Sequence, residues 1–191
     1  VLSGLEAGEE IVSNGVCAID AAAQLSGNYS MMTRPEVKTL ETPEEFRRQL
    51  TAFMQSYLPI KNALVKTDAE ATQKTITPAK TSLAKVDMKL LESKAHDIWM
   101  DLLRPIQSSL DKIAQTKDVE EQRKHFEILS ANLIEAVEYF GVVENTVYRQ
   151  YCPMAFDDKG AYWLSSADSI MNPYFGKKML TCGEVKETLK F

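Results

Sequence analysis

The sequence predicts a mainly α-helical protein: a four-helix up-down bundle, with a small loop- and strand-rich Cys/Met lobe at its C-terminus and a short β-hairpin remnant at its N-terminus. Three observations lead there. Apolar residues recur at spacings of three and four in consecutive runs between residues 43 and 141. Start and stop signals divide those runs with short joints. Beyond Gly141 the period disappears and aromatics, Gly, Pro, Cys and Met take over.

Residues 1–27 read as short strands and turns. Gly4, Gly8 and Gly15 punctuate the β-rich runs Glu10-Ile11-Val12 and Val16-Cys17-Ala18-Ile19, and Asn14-Gly15 is a strong two-residue hairpin signal. A lone hairpin is marginal in water, so this piece reads as the end of a β-rich domain rather than a domain. Residues 28–42 have linker composition, with Asn, Ser, Pro and charge and no period. The chain begins at Val, not Met, with neither the basic start nor the long apolar core of a signal peptide, which fits a mature or truncated chain.

The helical region begins at Thr42-Pro43-Glu44-Glu45, read as an N-cap, a proline at the first helical position and acidic residues at the positive helix end. Phe46, Leu50, Phe53, Met54, Tyr57 and Leu58 form its stripe. Asp68 caps a second run carrying Ile76, Leu83, Val86 and Leu90. Ser93 or Lys94 opens a third with Ile98, Leu102, Ile106, Leu110 and Ile113. Asp118 caps a fourth with Phe126, Leu129, Leu133, Ile134, Val137 and Phe140, which Gly141 stops. Four such helices with short joints predict an up-down bundle. Pro59, Pro78 and Pro105 fall within runs, predicting kinks or helix starts just before them.

The 191 residues carry a net charge of -5 with both signs interspersed, which argues against a nucleic-acid partner. No stretch reaches the ~20 apolar residues of a membrane helix. No Ser/His/Asp set, phosphate-cradling Gly loop or paired-carboxylate pattern stands out, so an enzyme is not the favoured reading.

The chemistry is concentrated in residues 147–191. Cys152-Pro153-Met154 and Met179-Leu180-Thr181-Cys182 are two sulfur pairs flanking an aromatic, loop-rich segment. Thiolate and thioether sulfur are soft ligands that select copper(I) or silver(I), so Cys152, Met154, Met179 and Cys182 are the candidate metal ligands. Zinc usually takes Cys-x-x-Cys pairs or histidines, and neither His96 nor His125 is nearby in sequence. The alternatives are a structural Cys152–Cys182 disulfide, or buried free thiols with Met154 and Met179 as core fillers. Either the metal or the disulfide requires Cys152 and Cys182 to meet in space. Met171 is a weaker thioether candidate, Cys17 reads as a small buried hydrophobe, and His96 and His125 as solvated or partly satisfied side chains. Asp157-Asp158-Lys159-Gly160 reads as a turn between two strands, and Cys182 to Leu189 as a final short helix.

Tyr151-Cys152-Pro153-Met154-Ala155, Gly160-Ala161-Tyr162-Trp163-Leu164-Ser165, Asn172-Pro173-Tyr174-Phe175-Gly176 and Lys178-Met179-Leu180-Thr181-Cys182-Gly183-Glu184-Val185 together resemble the helical domain of uncharacterised function appended to Bacteroidetes-type copper/silver efflux adaptors. Gly4 to Val12 and Ala18-Ile19-Asp20 resemble the final strands of the membrane-proximal domain in periplasmic adaptors of RND-type pumps. The resemblance implies a periplasmic location, an inner-membrane RND pump and an outer-membrane channel as partners, and heavy-metal export. It divides the chain into 1–27, the end of the membrane-proximal domain; 28–42, a linker; and 43–191, the helical domain with its metal-receiving lobe. Other small heavy-metal-binding domains often carry a histidine before Cys-Pro-Met, where this chain has Tyr151. The rival to metal capture is a structural module of the efflux assembly with a disulfide and no metal.

Overall fold

Four long amphipathic helices pack as a bundle, and a three-stranded antiparallel sheet closes one side of it. The computed structural model describes residues 40–144 and 146–191. The expected hairpin at Asn14-Gly15, Cys17 and the linker as far as residue 39 lie outside the described residues.

Helix α1 spans Glu44–Val65, α2 Ala69–Leu83, α3 Ser93–Gln115 and α4 Val119–Phe140. Sequence neighbours pack on one another and α1 also meets α4, which closes the ring. Asp68 caps α2 by accepting from the Ala71 N–H at 2.8 Å, and Asp118 caps α4 by accepting from Glu120 at 2.8 Å and Glu121 at 3.4 Å. Gly141 ends α4 with a positive φ.

Three expectations need correcting. Thr42 does not cap α1. Its hydroxyl donates back to the Leu40 carbonyl at 2.9 Å, and Pro43 occupies the cap position without a side-chain bond. Val86 and Leu90 fall beyond α2, in a loop with a 3-10 turn at Met88–Leu90, where the Asp87 N–H donates to Gln49 of α1 at 2.7 Å. Pro59, Pro78 and Pro105 lie well inside α1, α2 and α3, which overturns one of the two alternatives expected there, a helix start just before each proline.

The largest correction is at the C-terminus. Residues expected to form a short helix are strand β3, Glu184–Leu189. Strand β1 is Val147–Cys152 and β2 Ala161–Ser165, in the order β2-β1-β3. In the run Glu184-Val185-Lys186-Glu187-Thr188-Leu189 the one apolar pair, Val185 and Leu189, stands four apart, a spacing that a helix turn and a strand face both allow. The run alternates exposed and covered positions, so pairing with the open edge of β1 satisfies its backbone. The β1–β2 turn holds Phe156, Asp157 and Asp158 at positive φ, in line with the turn expected at Asp157 to Gly160.

Bundle and sheet share one core. Phe46, Trp99 and Phe140 cluster with centroids 5.1–5.9 Å apart at one place. Elsewhere a row runs Tyr57, Phe126, Tyr174, Trp163, with successive centroids 5.0, 5.9 and 5.9 Å apart, from α1 through α4 into the sheet. Tyr57 Oη shares a hydrogen bond with Ser130 Oγ at 2.7 Å and accepts from the Leu164 N–H of β2 at 3.3 Å. An N–H of the edge strand is thereby covered by the bundle. Burial pushes the Tyr57 hydroxyl well above its ordinary pKa, so it stays neutral.

Arg123, 3% exposed, joins three elements. From α4 it donates to the Pro173 carbonyl at 2.9 Å, to the Leu64 carbonyl at 3.3 Å and to Thr67 Oγ1 at 3.2 Å, and it pairs with Glu120 at 2.6 Å. The chain carrying Pro173 fits beneath it because residue 176 is glycine. A Cβ there would stand 2.3 Å from Thr67 Oγ1 and 2.8 Å from Arg123 Nη2, at a φ of 56°.

Candidate metal centre

Cys152 closes β1, where its register partner on β2 is Ala161, and its side chain is fully buried. Cys182 arrives thirty positions later, just before β3, and is half-buried. Their Sγ atoms are 3.5 Å apart. The two cysteines that sequence reasoning required to meet therefore do meet.

The approach has identifiable causes. Gly183 has φ 137°, and a Cβ on it would lie 2.7 Å from the Tyr151 carbonyl and 3.0 Å from the Trp163 ring. Only a residue without a side chain lets the strand after Cys182 press this closely on β1. The Cys182 N–H donates to the Met179 carbonyl at 3.2 Å, which folds Met179 to Cys182 into a turn. Behind it stands Asn172, fully buried, whose Nδ2 donates to the Cys182 carbonyl at 2.8 Å. Gln150, also fully buried, points its amide at the carbonyls of Ala167, Asp168 and Ser169 at 2.9, 3.1 and 3.2 Å, which fixes the start of the same loop.

A disulfide has sulfurs about 2.0 Å apart, and two thiolates on one tetrahedral ion at bonds of about 2.3 Å sit about 3.8 Å apart. At 3.5 Å the thiols are within small side-chain adjustments of either arrangement. Burial raises the Cys182 thiol above its ordinary pKa, and the neighbouring Cys152 raises it further through a hydrogen bond and charge. A thiol shifted in this direction is not an activated nucleophile. The Cys182 thiol favours its protonated form, and a soft cation would have to displace that proton to bind it.

The methionines are placed differently. Met179 is half-buried, on the same turn as Cys182. Met154 is 46% exposed and lines a groove of about 520 Å³ with Arg123, Lys124, Phe156, Tyr174 and Lys178. Met171 is also exposed. His96 Nδ1 lies 3.3 Å from the Met88 carbonyl, and His125 on α4 has its pKa lowered by burial and then by Lys112. Among the described residues no three of His, Cys, Asp and Glu are gathered into one cluster.

Sequence reasoning missed Asn172, Gln150 and Gly183 as builders of the site. Asn172-Pro173 reads only as a loop signal and Gly183 only as a helix start. Gln150 lies among aromatics and carries no motif.

Residues 53–145 match the model of a family described as "Protein of unknown function (DUF3347)". The match covers most of the bundle and stops before β1 and both cysteines. No curated protein and no solved structure matches the chain. Among the described residues, no helix is long and apolar enough to cross a membrane.

Proposed function

We propose that the helical domain is an accessory domain of a periplasmic heavy-metal efflux adaptor that captures copper(I) or silver(I) and passes it on by exchange between sulfur ligands. The observation that carries this reading is the approach of Cys152 and Cys182 to 3.5 Å, one thiol buried and the other reachable from solvent. A soft monovalent ion is the cargo such a dithiol suits best. Met179, on the turn of Cys182, and Met154, two residues beyond Cys152, are the proposed thioether ligands. The resemblance of the Cys-Pro-Met and Met-x-x-Cys segments to efflux adaptors supplies the setting: an inner-membrane RND pump and an outer-membrane channel as partners.

The test is an anaerobic titration of fully reduced protein in competition with a copper(I) chelator, with the Cys152→Ser/Cys182→Ser double variant as baseline. Wild type should withhold one equivalent from the chelator and prefer copper(I) or silver(I) to zinc. Met154→Leu and Met179→Leu should leave the fold intact with smaller losses of affinity than either Cys→Ser change. Equal, poor competition by wild type and baseline would remove the metal reading.

The same distance favours a second reading, a structural module whose Cys152–Cys182 disulfide pins β3 to β1. It expects air-purified protein to lack two free thiols and to lose stability on reduction.

A further inference from the structure

We infer that Asn172 is the positioning residue of the dithiol: it sets how closely Cys182 is held to Cys152, and thereby the pair's redox poise and its affinity for an ion. Every polar group of this buried residue is engaged. Its N–H donates to the Leu180 carbonyl at 2.8 Å and its carbonyl accepts from Gly176 at 3.1 Å. Oδ1 accepts from the N–H groups of Tyr174 at 2.8 Å and Phe175 at 3.3 Å, and Nδ2 donates to the Cys182 carbonyl at 2.8 Å. One side chain thus closes the loop from 172 to 182 on itself, across a separation of ten positions, and fixes the backbone of the half-exposed cysteine.

The polarity of these bonds makes asparagine specific. The oxygen serves the turn, and the nitrogen alone serves Cys182. Aspartate keeps the first function and loses the second, since a carboxylate cannot donate and repels the carbonyl it would face. Serine can take up the same N–H groups in an ST turn without reaching Cys182. Tyr174 offers the complementary control. Its hydroxyl donates to the Tyr162 carbonyl at 2.6 Å and anchors the same loop elsewhere.

The readout is thiol–disulfide exchange with glutathione disulfide. The Cys182 thiolate attacks one glutathione sulfur, forming a mixed disulfide and expelling one glutathione thiolate. The Cys152 thiolate then attacks the Cys182 sulfur, forming the Cys152–Cys182 bond and expelling the second. The protein gives up two electrons and two protons, and glutathione disulfide becomes two glutathione thiols. The equilibrium constant reports how well the protein presents the two sulfurs to each other.

This inference rests on the proposed dithiol site, and the experiment separates the two. In the full chain carrying Cys17→Ser, the exchange constant and copper(I) competition are measured for wild type, Asn172→Asp, Asn172→Ser and Tyr174→Phe, with folding followed by near-UV circular dichroism. Asn172→Asp and Asn172→Ser should lower the exchange constant about tenfold, a potential about 30 mV less negative. Tyr174→Phe should lower the melting temperature and leave the constant unchanged. An unchanged constant in folded Asn172 variants, or an equal shift in Tyr174→Phe, would overturn the inference. So would loss of cooperative folding in both Asn172 variants, because Asn172 would then hold the fold rather than position Cys182. Copper(I) binding absent from wild type, alongside the expected exchange shifts, would remove the metal reading and leave Asn172 in its role.

Discussion

At Cys182, chemistry is set by what surrounds the sulfur more than by the sulfur itself. Burial comes first and Cys152 second in raising its pKa. The alkylation rate of Cys182 should therefore rise with pH later than that of a free thiol. Cys152→Ser should move the profile part of the way back, since burial persists when the partner is gone. Mass-resolved iodoacetamide kinetics across pH 6–11 would check both, on the order of the ordinary thiol range. The sign for stability follows: a thiol kept neutral in the fold contributes fully below the ordinary thiol pKa, and that contribution is lost as pH rises through the raised value. Tyr57 is the comparable point in the core. Tyr57→Phe keeps the ring stacked on Phe126 and removes the oxygen shared by Ser130 and Leu164, so urea unfolding should show a loss of about 1–2 kcal/mol.

Among the elements, the helices were legible because their signals are local. Asp68, Asp118 and Gly141 act on their own helix ends, and the stripes of Phe46 to Tyr57 and Phe126 to Phe140 repeat within one element. Strand β3 was not, because its identity is decided by β1, a partner more than thirty positions away. The site divided the same way. Soft-ligand chemistry named Cys152 and Cys182 and their meeting was observed, whereas the sequence gives no local sign that Asn172 would turn its amide toward Cys182. Arg123 is the element-scale joint, tying α4 to the end of α1 and to the loop at Pro173. Arg123→Lys retains a charge but cannot reproduce a forked set of donors, and should cost about 2–4 kcal/mol in chemical denaturation. Asp118→Ala, losing a cap alone, should cost about 1 kcal/mol.

Across the whole molecule, the sheet has no core of its own. Trp163, Tyr174 and Leu164 reach the bundle through Phe126 and Tyr57, and three short strands need such a surface to persist. Bundle and lobe should therefore melt together. The chain has two tryptophans, Trp99 in α3 and Trp163 in β2, so single-tryptophan variants made by Trp→Phe can report on each part separately. Their fluorescence transitions in urea should share one midpoint, and separated midpoints would show a lobe that folds on its own.

The three side chains that shape the lobe, Arg123, Gln150 and Asn172, grip carbonyls of the main chain: Pro173 and Leu64, then Ala167 to Ser169, then Cys182. A carbonyl is common to all twenty amino acids, so the grip is blind to the side chains of the residues it holds. Ala167, Asp168 and Ser169 are thus free to vary, while the three that do the gripping are not. In a saturation library, positions 167–169 should accept most replacements while Gln150 accepts few. Across descendants of this chain, the rim beside the cysteines could change its charge and bulk, and hence what it meets, without moving the sulfurs.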